Sequence, residues 1–243
     1  MSRPHFFAGA PEPGQVVVLS SEDAGHAVRA LRLREGDEFT SSDGRGALAR
    51  CRVVRAERLL VEGEVVERSV DPRPKPTLSV VLSPPKGDRL SWAVQKLTEV
   101  GADEIILVEA SRSVRRWEGQ RAGKVAPRLE VVAREAAKQS RRRFLPALGG
   151  PVPWAEAVVP PAEGVLVLLW EGARTGLLDA LPPEPIEEVT LVVGPEGGIP
   201  EEDAGAAERS GAVIASLGPT ILRTETAAVA GAAVTLARYG RLG

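Results

Sequence analysis

Short, continuous apolar runs recur along the last two thirds of the chain, at residues 78–82, 104–108, 164–170 and 189–193. Runs this short and apolar predict strands buried on both faces, as in a parallel sheet. Helical stripes lie between them. From Leu90, apolar Val94, Leu97 and Val100 recur at helical spacing and Gly101 follows as a stop. Leu129, Val132, Ala133, Ala136 and Ala137 draw a second stripe. Strands alternating with helices predict an α/β fold with a parallel sheet. The first 70 residues read differently. A short apolar run at 15–19, an Asp43-Gly44 turn between strand candidates, and half-alternating stretches at 49–53 and 60–67 predict antiparallel strands. With one helix from Ser21 to about Leu31, they suggest a small β-barrel. The alternating prolines of Asp71-Pro72-Arg73-Pro74-Lys75-Pro76 can continue neither helix nor central strand. The reading is therefore a barrel over 1–70, a stiff linker over 71–77 and an α/β domain over 78–243.

At 243 residues with 43% hydrophobic content, the chain can fill such cores, and a net charge of −2 announces no global basic field. Arginine is nevertheless locally dense, at Arg29, Arg32 and Arg34, at Arg112, Arg115 and Arg116, and at Arg141, Arg142 and Arg143. A near-neutral total can hide a basic face that holds nucleic acid. Cys51 is the only cysteine, so an internal disulfide and a cysteine-based zinc site are excluded. The N-terminus lacks the apolar run of a signal peptide, and the longest apolar stretch, 165–170, is too short to span a bilayer. A soluble cytoplasmic protein without metal or membrane partner is expected.

The richest chemistry lies near the C-terminus. The apolar run 191–193 ends on Gly194-Pro195-Glu196-Gly197-Gly198, and Leu217-Gly218-Pro219-Thr220-Ile221-Leu222-Arg223-Thr224-Glu225 reads as a second strand end entering an alanine-rich helix. Glycines at a strand end let backbone approach a ligand closely, and ligands in parallel sheets bind beyond the carboxyl ends of the strands. No Lys-Ser/Thr follows these glycines, so the loop is not a phosphate-binding Walker loop. Glu196 disfavours an anion there, and a neutral or cationic ligand fits better. Both histidines, His5 and His26, lie in the N-terminal part, so chemistry at this loop must use Arg, Glu, Thr and backbone groups. Arg223 and Glu225 read either as working groups or as a structural ion pair.

Together these two loops resemble the paired cofactor motifs of the SPOUT methyltransferases, and specifically the RsmE family of bacterial 16S rRNA uridine-N3 methyltransferases. The resemblance extends along most of the chain. It takes in Arg3 and Phe6-Phe7; His26, Leu31-Arg32 and Gly36-Asp37; Lys86-Gly87-Asp88-Arg89, Gln95-Lys96 and Glu99. Arg112-Ser113-Val114, Glu135-Ala136-Ala137, Gln139, Arg142 and Pro146 complete it. Departures are small: Val100 stands where leucine is usual and Arg141 where glycine is common. The resemblance implies a trefoil-knotted C-terminal domain, a PUA-like N-terminal barrel that helps hold RNA, and a homodimer. It also implies S-adenosylmethionine held by Leu169, Gly194, Pro195, Gly198, Leu217, Gly218, Ile221, Leu222 and Arg223. Its partner would be 16S rRNA or the small ribosomal subunit. For catalysis, Arg223 would stabilise the anion that develops on uridine, while Glu225 or Glu196 would orient the site or accept the N3 proton. RNA contacts fall to Arg3, His26, Arg29, Arg32, Lys86, Arg112 and Arg142. Alternatives are a SPOUT enzyme with another rRNA or tRNA target, or a non-catalytic ribosome-assembly factor.

Overall fold

A computed structural model describes residues 3–109 and 122–242, which form two units. The first unit comprises residues 1–73 together with 137–145, and the second comprises 74–136 and 146–243.

In the first unit, strands β1 (His5–Phe6), β2 (Val16–Val18), β3 (Glu38–Ser42), β4 (Ala47–Glu57) and β5 (Leu60–Val70) form one sheet in the order β1-β3-β4-β5-β2. The Asp43-Gly44 turn joins β3 to β4 as an antiparallel pair, as its chemistry predicts. On β4, Ala49, Cys51 and Val53 alternate into a core that also holds Phe6, Phe39, Val61 and Val65. Cys51 is fully buried, and desolvation pushes its thiol up to about 11, so it is an inert core residue. Helix α1 (Ser21–Arg29) opens on a Ser20 cap whose side chain accepts from the Asp23 amide.

The residues around 137–145 belong to this unit through buried polar contacts. Lys138 pairs with buried Asp23, and the Ser42 hydroxyl donates to the Arg143 carbonyl at 2.8 Å. His5 bridges Thr40 Oγ1 through Nδ1 (2.9 Å) and the Arg142 carbonyl through Nε2 (3.1 Å). Burial, helped by Arg141 and Arg143, lowers the His5 pKa to about 4, against the opposing pull of its bond to the Arg142 carbonyl. The unfolded chain therefore binds a proton that the folded chain refuses between about pH 6.5 and 4, and stability falls as pH drops through that window. In denaturant titrations, the wild type should lose about 2 kcal/mol more than His5→Gln between pH 7 and pH 5. Equal losses would remove His5 as the cause.

The second unit carries the predicted parallel sheet. Its strands are β6 (Thr77–Leu82), β7 (Glu104–Glu109), β8 (Ala147–Pro153), β9 (Gly164–Leu169), β10 (Glu188–Val193) and β11 (Val213–Ala215), in the order β11-β9-β10-β6-β7-β8. All its pairings are parallel. Helices α2 (Arg89–Val100), α3 (Ala122–Ser140), α5 (Leu177–Ala180) and α7 (Thr224–Arg238) supply apolar residues to one core. Helices α4 (Trp154–Ala157) and α6 (Glu201–Arg209) supply the core on the other face. Gly101 ends α2 in a left-handed conformation, as read from the sequence. The expected strand end at Leu217 is corrected. Strand β11 stops at Ala215, and Leu217 lies in the following loop.

No helix among the described residues is long and apolar enough to cross a membrane.

Candidate active site

Strands β9, β10 and β11 are in register, with Val193 beside Leu169 and Leu169 beside Ala215, so their carboxyl ends open at one level. The loop after β10 is tightened by the Gly198 amide donating to the Pro195 carbonyl (2.9 Å), with Gly198 at φ 75°. The loop after β11 is folded by Ser216, whose hydroxyl accepts from the Gly218 amide and sits 3.1 Å from the Gly218 carbonyl. Gly218 has φ 126°, a conformation that favours glycine. Thr224 joins the two loops by donating its hydroxyl to the Gly194 carbonyl at 3.1 Å. The Trp170 indole fixes the far wall by donating to the Ile199 carbonyl at 3.1 Å.

These loops enclose one pocket. Leu169, Gly194, Pro195, Gly198, Leu217, Gly218, Ile221 and Leu222, all singled out from sequence, lie together on its lining. Trp170, Val193, Thr220, Thr224 and Ala227, from the same stretches of sequence, also line it, together with Glu171, Ile199 and Ser216, which were not foreseen. Glu171 directly follows the apolar run that carried the β9 prediction, and a side chain on Gly198 would come within 3.1 Å of its carboxylate. It is the only charged residue on the lining among the described residues.

The sequence left open a structural ion pair between Arg223 and Glu225. Arg223 and Glu225 do not pair. Arg223 is exposed and has no side-chain partner among the described residues. Glu225, in the first turn of α7, is 6% exposed and faces Arg89, whose Nε lies 3.6 Å from Oε1. Arg89 also donates to Glu196 Oε1 at 2.8 Å. Among the described residues, the Glu225 Oε2 oxygen is buried without a hydrogen-bond partner, as is the hydroxyl of Ser83 just beyond β6. An acceptor left so costs free energy unless a ligand brings it a donor.

The RNA candidates divide between the units. Arg3, His26, Arg29, Arg32 and Arg142 belong to the first unit and Lys86 to the second. His26 and Arg29 share an exposed face of α1, with Arg32 just beyond at φ 58°. Arg3 is engaged with Glu38, and Arg29 bonds the Gly25 carbonyl. Arg112 lies outside the described residues. No cluster of three metal-ligating side chains occurs among the described residues.

A family model described as an RNA methyltransferase domain matches residues 72–236, and one described as an RNA methyltransferase PUA domain matches 19–66. The chain is 36% identical to ribosomal RNA small subunit methyltransferase E of Mycobacterium bovis over 236 residues, covering 96% of this chain and 88% of that one. The Bacillus subtilis protein of the same name is 31% identical over 219 residues, covering 86% and 85%. The Neisseria gonorrhoeae enzyme of that name, solved bound to S-adenosyl methionine, superposes with a TM-score of 0.86 at 27% identity, covering 97% and 98%. A putative methyltransferase of Legionella pneumophila, solved with bound SAM, gives 0.85 at 26% identity, covering 98% of each chain. With its fold and nearly its whole length shared with these proteins, the chain belongs to the ribosomal RNA small subunit methyltransferase E family.

Proposed function

We propose that this protein transfers a methyl group from S-adenosylmethionine to N3 of a uridine in 16S rRNA. One observation carries the reading. The pocket is built from two glycine-bearing loops, and Glu225, next in sequence to the lining residue Thr224, is buried with its Oε2 lacking a hydrogen-bond partner among the described residues. The lining suits the cofactor, because glycine loops expose amides and carbonyls to it, and Glu171, the single charged lining residue among those described, attracts a cation. When bound, the cofactor supplies a sulfonium methyl that needs no further activation.

The chain's own task is the acceptor. Uridine N3 carries a proton and is a poor nucleophile until that proton leaves. Glu225 Oε2 lacks a donor among the described residues and accepts it as general base. Glu196 is tied to Arg89, so it orients the site instead. Arg223 is free to lie against the uracil oxygens and offset the charge that develops there.

N3 is engaged whenever the base is paired, so the uridine is turned out of its stack while phosphate contacts hold the RNA. Arg3, His26, Arg29, Arg32, Lys86, Arg112 and Arg142 provide those contacts. The N-terminal unit serves as the RNA-holding PUA-like domain and the second unit as the methyltransferase. We read the two loops as the crossing of a trefoil knot, and the working form as a homodimer in the cytoplasm. Ile221, 90% exposed, and Trp92, 44% exposed, leave apolar surface that a second copy would cover.

The test is nucleoside mass spectrometry after incubating the protein and S-adenosylmethionine with small subunits and with naked 16S rRNA. 3-Methyluridine in either is expected. A different methylated nucleoside would reassign the target, and no product despite cofactor binding would indicate an assembly factor. RNA affinity should also fall by roughly 10³-fold between 50 and 200 mM salt if about six phosphates are neutralised. A flat response would remove the basic set.

A further inference from the structure

We propose that Arg89 is a positioning residue for methyl transfer, holding Glu225 with one oxygen open and tying it to Glu196 on the cofactor loop. The inference rests on the reading of Glu225 as proton acceptor.

The placement follows from the sheet. Strand β6 lies beside β10 with Leu82 opposite Val193, so the segment leading into α2 and the loop beginning at Gly194 leave the sheet as neighbours. Helix α7 packs along α2. The first turns of both helices and the glycine loop therefore converge, and Arg89 is the residue that touches the other two elements. Its Nη1 donates to Glu196 at 2.8 Å, and its Nε lies 3.6 Å from Glu225 Oε1. A guanidinium offers several donors in a planar fork, so one side chain can engage carboxylates on two elements.

Charge argues for positioning rather than phosphate binding. An arginine already between two carboxylates is poorly placed to attract a phosphate. Without it, Glu225, whose side chain is 9% exposed, would lose its cationic neighbour and turn to escape burial of an unpaired charge. The open Oε2 would then no longer be held in place. A misplacement of about 1 Å in a reacting group can cost about 10²-fold in rate.

The test compares wild type, Arg89→Ala and Arg89→Lys. In Arg89→Ala, kcat at saturating RNA should fall about 10–100-fold, with KM for RNA and calorimetric affinity for S-adenosylmethionine within about threefold. Arg89→Lys should recover part of kcat, since it restores the charge but not the fork. In the cofactor-free protein, amides of the glycine loop and the first turn of α7 should exchange hydrogen faster in Arg89→Ala than in wild type. A raised KM with unchanged kcat would make Arg89 an RNA contact and overturn the proposal. Unchanged kcat with unchanged exchange would also overturn it. A wild type that binds cofactor but methylates no RNA would defeat the functional reading instead, leaving hydrogen exchange to judge the Arg89 clamp.

Discussion

Replacing Glu225 by Gln should lower methyl transfer by about 10²–10⁴-fold, the range associated with loss of a general base. The substitution keeps the shape of the side chain and its place beside Arg89, so cofactor affinity should change by less than about threefold. What it removes is proton acceptance by the buried oxygen, which has no donor among the described residues. Glu196→Gln makes the contrast. Glu196 Oε1 is occupied by Arg89 at 2.8 Å, and an amide oxygen can still accept that bond. Its loss should be about tenfold or less. Single-turnover rates with cofactor and RNA both saturating would separate the two, and near wild-type transfer by Glu225→Gln would remove it from proton transfer.

Gly194→Ala should cost cofactor binding instead. A Cβ there would stand 2.4 Å from Ile199 Cγ1 and 2.7 Å from its Cδ1. Ile199 is buried, and its carbonyl holds the Trp170 indole, while the Gly194 carbonyl holds Thr224. Relieving the clash therefore displaces pocket walls on two sides. Overpacking of this kind costs about 1–3 kcal/mol, and if it falls on the bound state the cofactor Kd rises roughly 5–150-fold. Calorimetry on a variant whose circular dichroism matches wild type checks it. Unchanged affinity would show that the loop adjusts freely.

The parallel sheet was legible because its strands are buried on both faces and read as unbroken apolar runs, with helical stripes between them. Strand β8, Ala-Leu-Gly-Gly-Pro-Val-Pro, carries no such signal, since it pairs only with β7 at the sheet edge and its glycines and prolines read as loop. Strand β11 is three residues long and was placed too late, because Leu217 continues the apolar composition after the ladder to β9 has ended. Arg141, marked from sequence as standing where glycine is common, has φ 56°, which gives that preference its physical reason.

The pocket lining was readable for a similar reason, since both loops announce themselves by glycines after apolar runs. The charged contacts were not. Residues two apart at a helix start point in different directions, so Arg223 and Glu225 do not meet. The partner of Glu225 is Arg89, more than a hundred residues away, brought close only because β10 lies beside β6. That adjacency is a property of strand order, which local pattern does not encode.

Calorimetric titration with S-adenosylmethionine tests the central claim most directly. The account predicts one cofactor per chain, bound by wild type and Glu225→Gln alike and weakened in Gly194→Ala. No saturable binding by wild type, or undiminished binding by Gly194→Ala, would contradict it.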